Sequence, residues 1–535
     1  MPASSIAPSR ISPLLLVLHL TACAAVLLML LLQTRPVELP DLKLEAGEKF
    51  NCLSYAPYHG PGQTPLDPHT LISREQIAAD LAVLAPLTRC VRTYAVNQGL
   101  EQVPGVAREL GLQVLLGAWI GRDAARNRQE LETAIDVANR HPEVVRGLIV
   151  GNEVLLRREQ SEQALKALLE EARSRTRVPV TYADVWEFWL RHPGLADSVD
   201  LLTIHILPYW EDEPVAVEAA IPHVARIHEQ IQRHFGKPVL IGETGWPSHG
   251  RQREAARPGR VEQARYIRSF VQEARSRGWN YNLIEAIDQP WKRQLEGTVG
   301  GYWGILDKHL QARFPLQGPV AERQDLTLPL LATLSGALSC LGLALLRRKD
   351  DPPASPVAAA AAGAWLGIAL CMAWEHGMTA YRNLWEWLIL GTVALLGVIL
   401  TLTHARNPIR PISWHAAWQR RDRQACCLAF IHVALLFAAA TAALLLCVDP
   451  RYRDFPFWLY LLPLPTLLSL ARLPLEDGRE EGILAALVVA GGLLRWLMEP
   501  GNPQAQAWAA LCLLLGVPVL ARISRARRAA GAAVS

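Results

Sequence analysis

The sequence predicts an α/β fold, a (β/α)8 TIM barrel, followed by an all-α multi-spanning transmembrane domain. Three observations predict it. Between about residues 45 and 322, short Val/Ile/Leu runs alternate with amphipathic helical stretches. The ends of those runs collect carboxylates, imidazole and aromatic rings. Outside that region, residues 14–32 and 325–522 are dominated by long Leu/Ala/Val runs. The overall hydrophobic fraction of 51% and net charge of +4 therefore average two unlike parts. The expected division is 1–12 as a cytoplasmic N-terminus, 13–33 as an N-terminal transmembrane anchor and 45–322 as the barrel. A membrane domain over 325–522 and a basic cytoplasmic tail over 523–535 complete it.

The first apolar run, preceded by Arg10, reads as a retained helix or as a signal peptide. Its length and the absence of an A-x-A site favour the helix, with its N-terminus in the cytoplasm. Candidate strands then follow at about 50–58, 90–96, 112–120, 145–154, 178–185, 200–209, 238–246 and 280–287. Most lack polar alternation, as parallel strands covered on both faces do. Ser73 and Gln76 open one intervening helix as a capping box, a second spans about 161–175, and Gly278 stops a third. This strand count with a helix after most strands is that of a (β/α)8 barrel. A doubly wound sheet is the alternative, and it lacks a G-x-G-x-x-G after the first strand.

Further apolar runs lie near 326–346, 357–374, 384–404, 425–448, 457–473, 483–498 and 505–521. Two are interrupted, around Pro463/Pro465 and Gly491/Gly492. Basic clusters fall at Arg347, Arg348 and Lys349, at Arg406, Arg410, Arg420, Arg421 and Arg423, and at Arg522, Arg525, Arg527 and Arg528. Counting helices from the N-terminus puts all three clusters on the cytoplasmic side, as the positive-inside rule requires. This gives eight spans, both termini inside, and the barrel outside. His432 and Arg495 are candidates for a polar pathway or for interhelical bonding.

At the C-terminal strand ends, where barrel enzymes keep their chemistry, two segments stand out. They are LIVGNEV (148–154) and VLIGETGWPS (239–248). Each drives an apolar strand into a glycine and a carboxylate, Glu153 and Glu243, on the presumed fourth and seventh strands. Glycoside cleavage needs two carboxyl groups flanking one bond. Asn152 is placed to hold a sugar 2-hydroxyl, His205 and Tyr209 to hydrogen-bond the nucleophile, and Trp291 to floor the −1 sugar site. Tyr58, Arg92 and Tyr94 also lie at strand ends. Tyr209, Trp210, Trp246 and Trp291 are placed to stack donor or acceptor sugars. Any one of these residues alone is more often a packing or surface residue; the joint pattern carries the argument.

The segments VRTY (91–94), VGNE (150–153), HILPYWE (205–211), IGETGWPS (241–248), EAIDQPWK (285–292) and YWGILD (302–307) resemble glycoside hydrolase family 17, in its bacterial branch. The resemblance covers about residues 48–320. It implies a (β/α)8 barrel acting on β-1,3-glucan with retention, Glu153 as acid/base and Glu243 as nucleophile. Glu285 and Lys292 match positions that the family places near the site. Membrane-bound members of this kind are associated with glucan elongation, branching or cyclisation, so transglycosylation is the leading expectation and endo-β-1,3-glucanase hydrolysis its alternative. A non-catalytic glycan sensor or scaffold is the alternative of another class, and intact Glu153 and Glu243 argue against it.

The expected partners are a β-glucan or oligosaccharide, membrane lipid, and a membrane glucan synthase or export complex beside which the helices hold the barrel. The expected location is a bacterial inner membrane, with the barrel on the periplasmic side. Small net charge and the absence of a basic stripe exclude a nucleic-acid footprint. Without zinc-type Cys/His spacing, no metal is expected, and no cofactor. Nine cysteines occur, of which only Cys52 and Cys90 lie in the barrel region. An oxidising compartment permits a bridge between them. Bridges between adjacent parallel strands are uncommon, so two buried thiols are expected.

Overall fold

In the computed structural model, eight parallel strands close into a barrel in the order β1 to β8, β1 pairing with both β2 and β8. The structure describes residues 11–45, 47–346, 355–406, 412–421, 423–475 and 477–534. The strands are β1 (Leu53–Ser54), β2 (Cys90–Arg92), β3 (Gln113–Ala118), β4 (Val145–Asn152), β5 (Val180–Val185), β6 (Leu202–His205), β7 (Val239–Thr244) and β8 (Asn280–Leu283). The barrel strands are buried almost throughout because helices cover the outside while side chains fill the lumen. The chain divides into two compact units, Val37–Val320 and the combination of Met1–Pro36 with Ala321–Ser535.

Local sequence sets the helix ends. Ser73 accepts a hydrogen bond from the Gln76 amide at 3.2 Å, capping the helix Arg74–Leu84. The capping box is only half made, because the Gln76 side chain instead donates to the Pro57 carbonyl at 2.7 Å. Ser161 caps the helix Glu162–Arg175 in the same way, and Gly278 ends the helix Arg260–Arg277 in the left-handed conformation, φ +65°.

Cys52, just before β1, joins Cys90, Leu115, Ile149, Ala183 and Leu240 from five other strands in one buried cluster, which only the barrel lumen can accommodate. Here the structure departs from the expected pair of thiols, because Cys52 and Cys90 are joined as a disulfide. The pairing Leu53↔Val91 sets the two cysteines side by side with both side chains inward, their Cα atoms 4.4 Å apart. That spacing lies at the short end of the range a disulfide spans.

The second unit is helical. Among the described residues, seven helices are long and apolar enough to cross a membrane: Pro13–Gln33, Thr327–Leu345, Pro356–Ala380, Leu384–Ala405, Arg423–Val448, Arg479–Met498 and Pro503–Ala530. The expected span over 457–473 is instead two short helices, Phe457–Leu461 and Leu464–Ser469. Pro463 and Pro465 have no amide hydrogen to donate, so one continuous helix cannot form there. The Gly491/Gly492 run is unbroken, and Gly492 lets Cys512 approach closely. Gly336 and Gly363 meet backbone to backbone, bringing the helices Thr327–Leu345 and Pro356–Ala380 into close contact. Arg495 pairs with Glu499 one turn on, and His432 lines a small cavity with His404 and Arg522. Arg10, Arg347, Arg348, Lys349 and Arg410 lie outside the described residues.

Candidate active site

Glu243 ends β7 inside the barrel mouth and is 5% exposed. Gly242 before it has no side chain because Thr203 and His205 of β6 press against its Cα. Burying a carboxylate this deeply demands partners. Arg92 Nη1 donates to Glu243 Oε1 at 3.1 Å, and the Tyr94 hydroxyl donates to the same oxygen at 2.9 Å. Arg92 also donates to the Gly242 carbonyl at 2.7 Å and to Asn152 Oδ1 at 2.5 Å, so one guanidinium ties β2, β4 and β7 together. The guanidinium also lies 4.6 Å from the centroid of the Tyr94 ring.

Glu153 follows β4, its backbone in the left-handed region at φ +52°, two residues after Gly151 at φ +88°. A non-glycine residue holds that conformation at a cost of about 1–3 kcal/mol, where neighbouring bonds over-determine it. Here those bonds run from the Glu153 amide to the Ala183 carbonyl at 2.7 Å and from the Leu155 amide to the Tyr182 hydroxyl at 3.0 Å. Tyr182 in turn donates to Asp184. The turn lifts the Glu153 side chain toward the mouth, where it is 23% exposed.

His205 stands between the two carboxylates. Its Nδ1 lies 2.9 Å from Glu153 Oε1, and its Nε2 lies 3.6 Å from Glu243 Oε1. Donor atoms of Glu153, His205 and Glu243 all fall within 4.8 Å of one another. Three such ligands could in principle hold a cation. However, the Arg92 guanidinium already occupies Glu243 and would repel one. Burial pushes the Glu153 carboxyl up; the His205 hydrogen bond and the nearby His205, Arg157 and Arg92 charges outweigh it and hold it below the usual range.

A second acidic group sits beside the pair. Glu285 is fully buried and its carboxyl is pushed up to about 7, although Lys292 donates to it at 3.0 Å. Burial also raises Glu296, and repulsion from Glu153 and Glu243 adds to that rise, with Lys292 opposing. Glu296 thus lies within electrostatic reach of Glu153 and Glu243. The sequence reading missed it; the signal was the Lys292/Glu296 spacing of one helical turn.

The remaining expected residues divide. Trp291 stands edge-on to Tyr58, and both rings line a cleft of about 730 Å³ with Gln63, Asp67 and Lys308. Neither Glu153 nor Glu243 lines that cleft. Trp210 is half-buried, with Arg253 over its ring. Tyr209 and Trp246 are fully buried, contrary to the expected stacking role. The Tyr209 hydroxyl donates to the Arg251 carbonyl at 2.6 Å and Trp246 Nε1 to the Arg257 carbonyl at 2.8 Å. Their rings pack on each other, on Trp303 and on Tyr266, leaving no face for a sugar. The tyrosine hydroxyl that reaches Glu243 is that of Tyr94, not Tyr209.

Comparison with known proteins fits this geometry. Residues 52–304 match the BtgE/BtgC glycoside hydrolase domain family. Probable β-glucosidase btgE of Aspergillus flavus is 27% identical over 265 residues, 48% of this chain and 42% of that protein. The chain thus spans less than half the length of that relative. Glucan 1,3-β-glucosidase of Schizosaccharomyces pombe is 26% identical over 255 residues, 44% of this chain and 79% of that protein. Among solved structures, the glycoside hydrolase family 17 β-1,3-glucanosyltransferase from Rhizomucor miehei is 24% identical with a TM-score of 0.45, covering 50% of this chain and 98% of that one. Residues 52–304, the barrel with carboxylates at the ends of its fourth and seventh strands, are thus similar to the BtgE/BtgC glycoside hydrolase domain.

Proposed function

We propose that this barrel cleaves β-1,3-glucosidic bonds with retention and passes the cleaved glucan to an acceptor sugar. The observation that carries the reading is that one carboxylate oxygen of Glu153 lies within 4.8 Å of one of Glu243. A retaining pair lies about 5–5.5 Å apart, whereas an inverting pair needs about 6.5–9.5 Å to admit a water. In the first step a Glu243 oxygen attacks C1, the C1–O bond breaks, and Glu153 gives its proton to the leaving oxygen. In the second step the Glu153 carboxylate takes a proton from the acceptor hydroxyl, whose oxygen attacks C1 and releases Glu243. Water in place of the acceptor gives hydrolysis.

Arg92 and Tyr94 hold the Glu243 carboxylate in place, and Asn152, fixed by Arg92, is left to meet the sugar 2-hydroxyl. The relatives named for β-1,3-glucans support the substrate class. The seven long apolar helices support residence in a membrane. The basic residues at 347–349 and 406–423 support a barrel outside the cytoplasm, in the periplasm of a bacterium, whereas with seven spans the cluster at 522–528 falls on the opposite side and weighs against it. The helices then hold it beside lipid and a glucan synthase or export complex.

The direct test incubates the purified full chain, in detergent, with laminari-oligosaccharides. Products longer than the substrate are expected. Shorter products alone would establish hydrolysis instead, and no turnover would sink the enzymatic reading.

A pH experiment tests Glu153. The acid must be protonated, so activity falls as pH rises through its pKa, which His205 holds down. Replacing His205 with Asn removes that hydrogen bond and charge and leaves burial dominant, so the carboxyl rises. The alkaline limb of the kcat/KM profile should then move to higher pH, with kcat lower by roughly tenfold to a hundredfold. An unmoved limb would detach Glu153 from the acid role.

A further inference from the structure

The two most deeply buried rings among those expected to stack a sugar, Tyr209 and Trp246, are sealed in the core, whereas Trp119, just past β3, is 39% exposed. It is the only aromatic side chain among the large exposed hydrophobics of the unit Val37–Val320, among the described residues. Its position is fixed from beneath. The Trp119 amide donates to the buried Glu130 carboxylate at 3.2 Å. Two residues on, the Gly121 carbonyl accepts from Asn127 at 2.7 Å and from Gln160 at 2.6 Å, which locks the loop after β3 to the loop after β4. On that second loop Arg157 lays its guanidinium 4.3 Å from the centroid of the Trp119 ring. The Arg157 amide bonds the Glu153 carbonyl at 2.9 Å, and the Arg157 charge acts on the Glu153 carboxyl. A rigid, exposed indole backed by a guanidinium therefore flanks Glu153 on the β3 side, away from Glu243 on β7.

We infer that Trp119 and Arg157 form a carbohydrate subsite for the sugars on the leaving-group side of the scissile bond. The inference rests on the reading of Glu153 as the acid/base. That residue protonates the leaving oxygen, so its outer flank is where the leaving saccharide goes and where an acceptor returns. A pyranose presents C–H groups on its faces and hydroxyls at its rim, which an indole and the Nη1 of Arg157 complement, the Arg157 Nε and Nη2 being held by Glu159 at 3.0 and 2.8 Å. Trp291 and Tyr58, on the β8 and β1 side, are left for the donor sugars.

The test maps which bond the full chain, in detergent, cuts in reducing-end-labelled laminarihexaose. Trp119→Ala should reduce cleavages that release reducing-end fragments of two or more sugars by about tenfold relative to release of a single glucose, the equivalent of about 1.4 kcal/mol of lost binding. A general loss of structure would lower all cleavages together and leave that distribution unmoved. Arg157→Lys keeps the charge beside Glu153 but loses the planar group, and it should shift the distribution in the same direction by less. Active variants with the wild-type distribution would overturn the subsite. A wild-type chain that cuts no laminari-oligosaccharide would instead overturn the glucanase reading beneath it.

Discussion

If Glu243 is the covalent nucleophile, Glu243→Ala is expected to lower kcat by on the order of 10⁴-fold or more. The variant should still fold, because Arg92 keeps the Gly242 carbonyl and the Asn152 side chain as partners. The space left behind admits a small anion, which gives the experiment its sharper half. Azide entering there attacks C1 from the side that Glu243 used, while Glu153 still protonates the leaving oxygen. One displacement from a β-glucoside yields an α-glucosyl azide. Recovery of turnover with azide and that anomer as product would establish Glu243 as the nucleophile. Undiminished activity without azide would end the assignment.

Arg92→Met is expected to damage both folding and catalysis. Arg92 is 1% exposed and serves Glu243, Asn152 and the Gly242 carbonyl from one guanidinium. Methionine fills much of the volume but leaves the Glu243 carboxylate without its cation and Asn152 Oδ1 without the Arg92 donor, while the Gly242 carbonyl keeps Asn282 Nδ2 at 2.7 Å. Removing one partner of a buried pair costs about 3–5 kcal/mol. The unfolding transition of the barrel should fall accordingly, and kcat should fall by roughly 10²-fold as Glu243 and Asn152 lose their aim. Arg92→Lys should fall between, since one ammonium cannot reproduce a fork spread over three strands. Unfolding and activity both within error of wild type would show that Arg92 is not the tie described here.

The barrel was legible because strands covered on both faces must be apolar throughout, and eight such runs between amphipathic helices admit few other folds. Glu153 and Glu243 were legible because a carboxylate straight after such a run, beside a glycine, is conspicuous. What the sequence could not convey was where a polar atom finds its partner. Tyr209 and Trp246 sit next to the site in sequence, yet their O–H and N–H groups end on the Arg251 and Arg257 carbonyls, and the rings turn inward. Tyr94 reaches Glu243 from a strand on the far side of the barrel, a contact set by closure of the sheet and not by local pattern. Residues 457–473 were read as a span because hydropathy does not register a missing amide hydrogen. The Cys52–Cys90 bridge depends on a register pairing that composition does not reveal.

That bridge has a use beyond its contribution to the fold. Both sulfurs belong to residues with no exposed surface, packed in the lumen among Leu115, Ile149, Ala183 and Leu240. Thiol exchange needs an attacking thiolate in line with a sulfur, and no reductant can reach that position while the strands stay closed. Cleavage of the bond must therefore wait for the barrel to open. The seven remaining cysteines are free and lie in the other unit. The rate at which two thiols beyond the seven already free become reactive in mild reductant is thus an internal clock for breathing of the β1–β2 seam, readable in the intact chain with a thiol reagent.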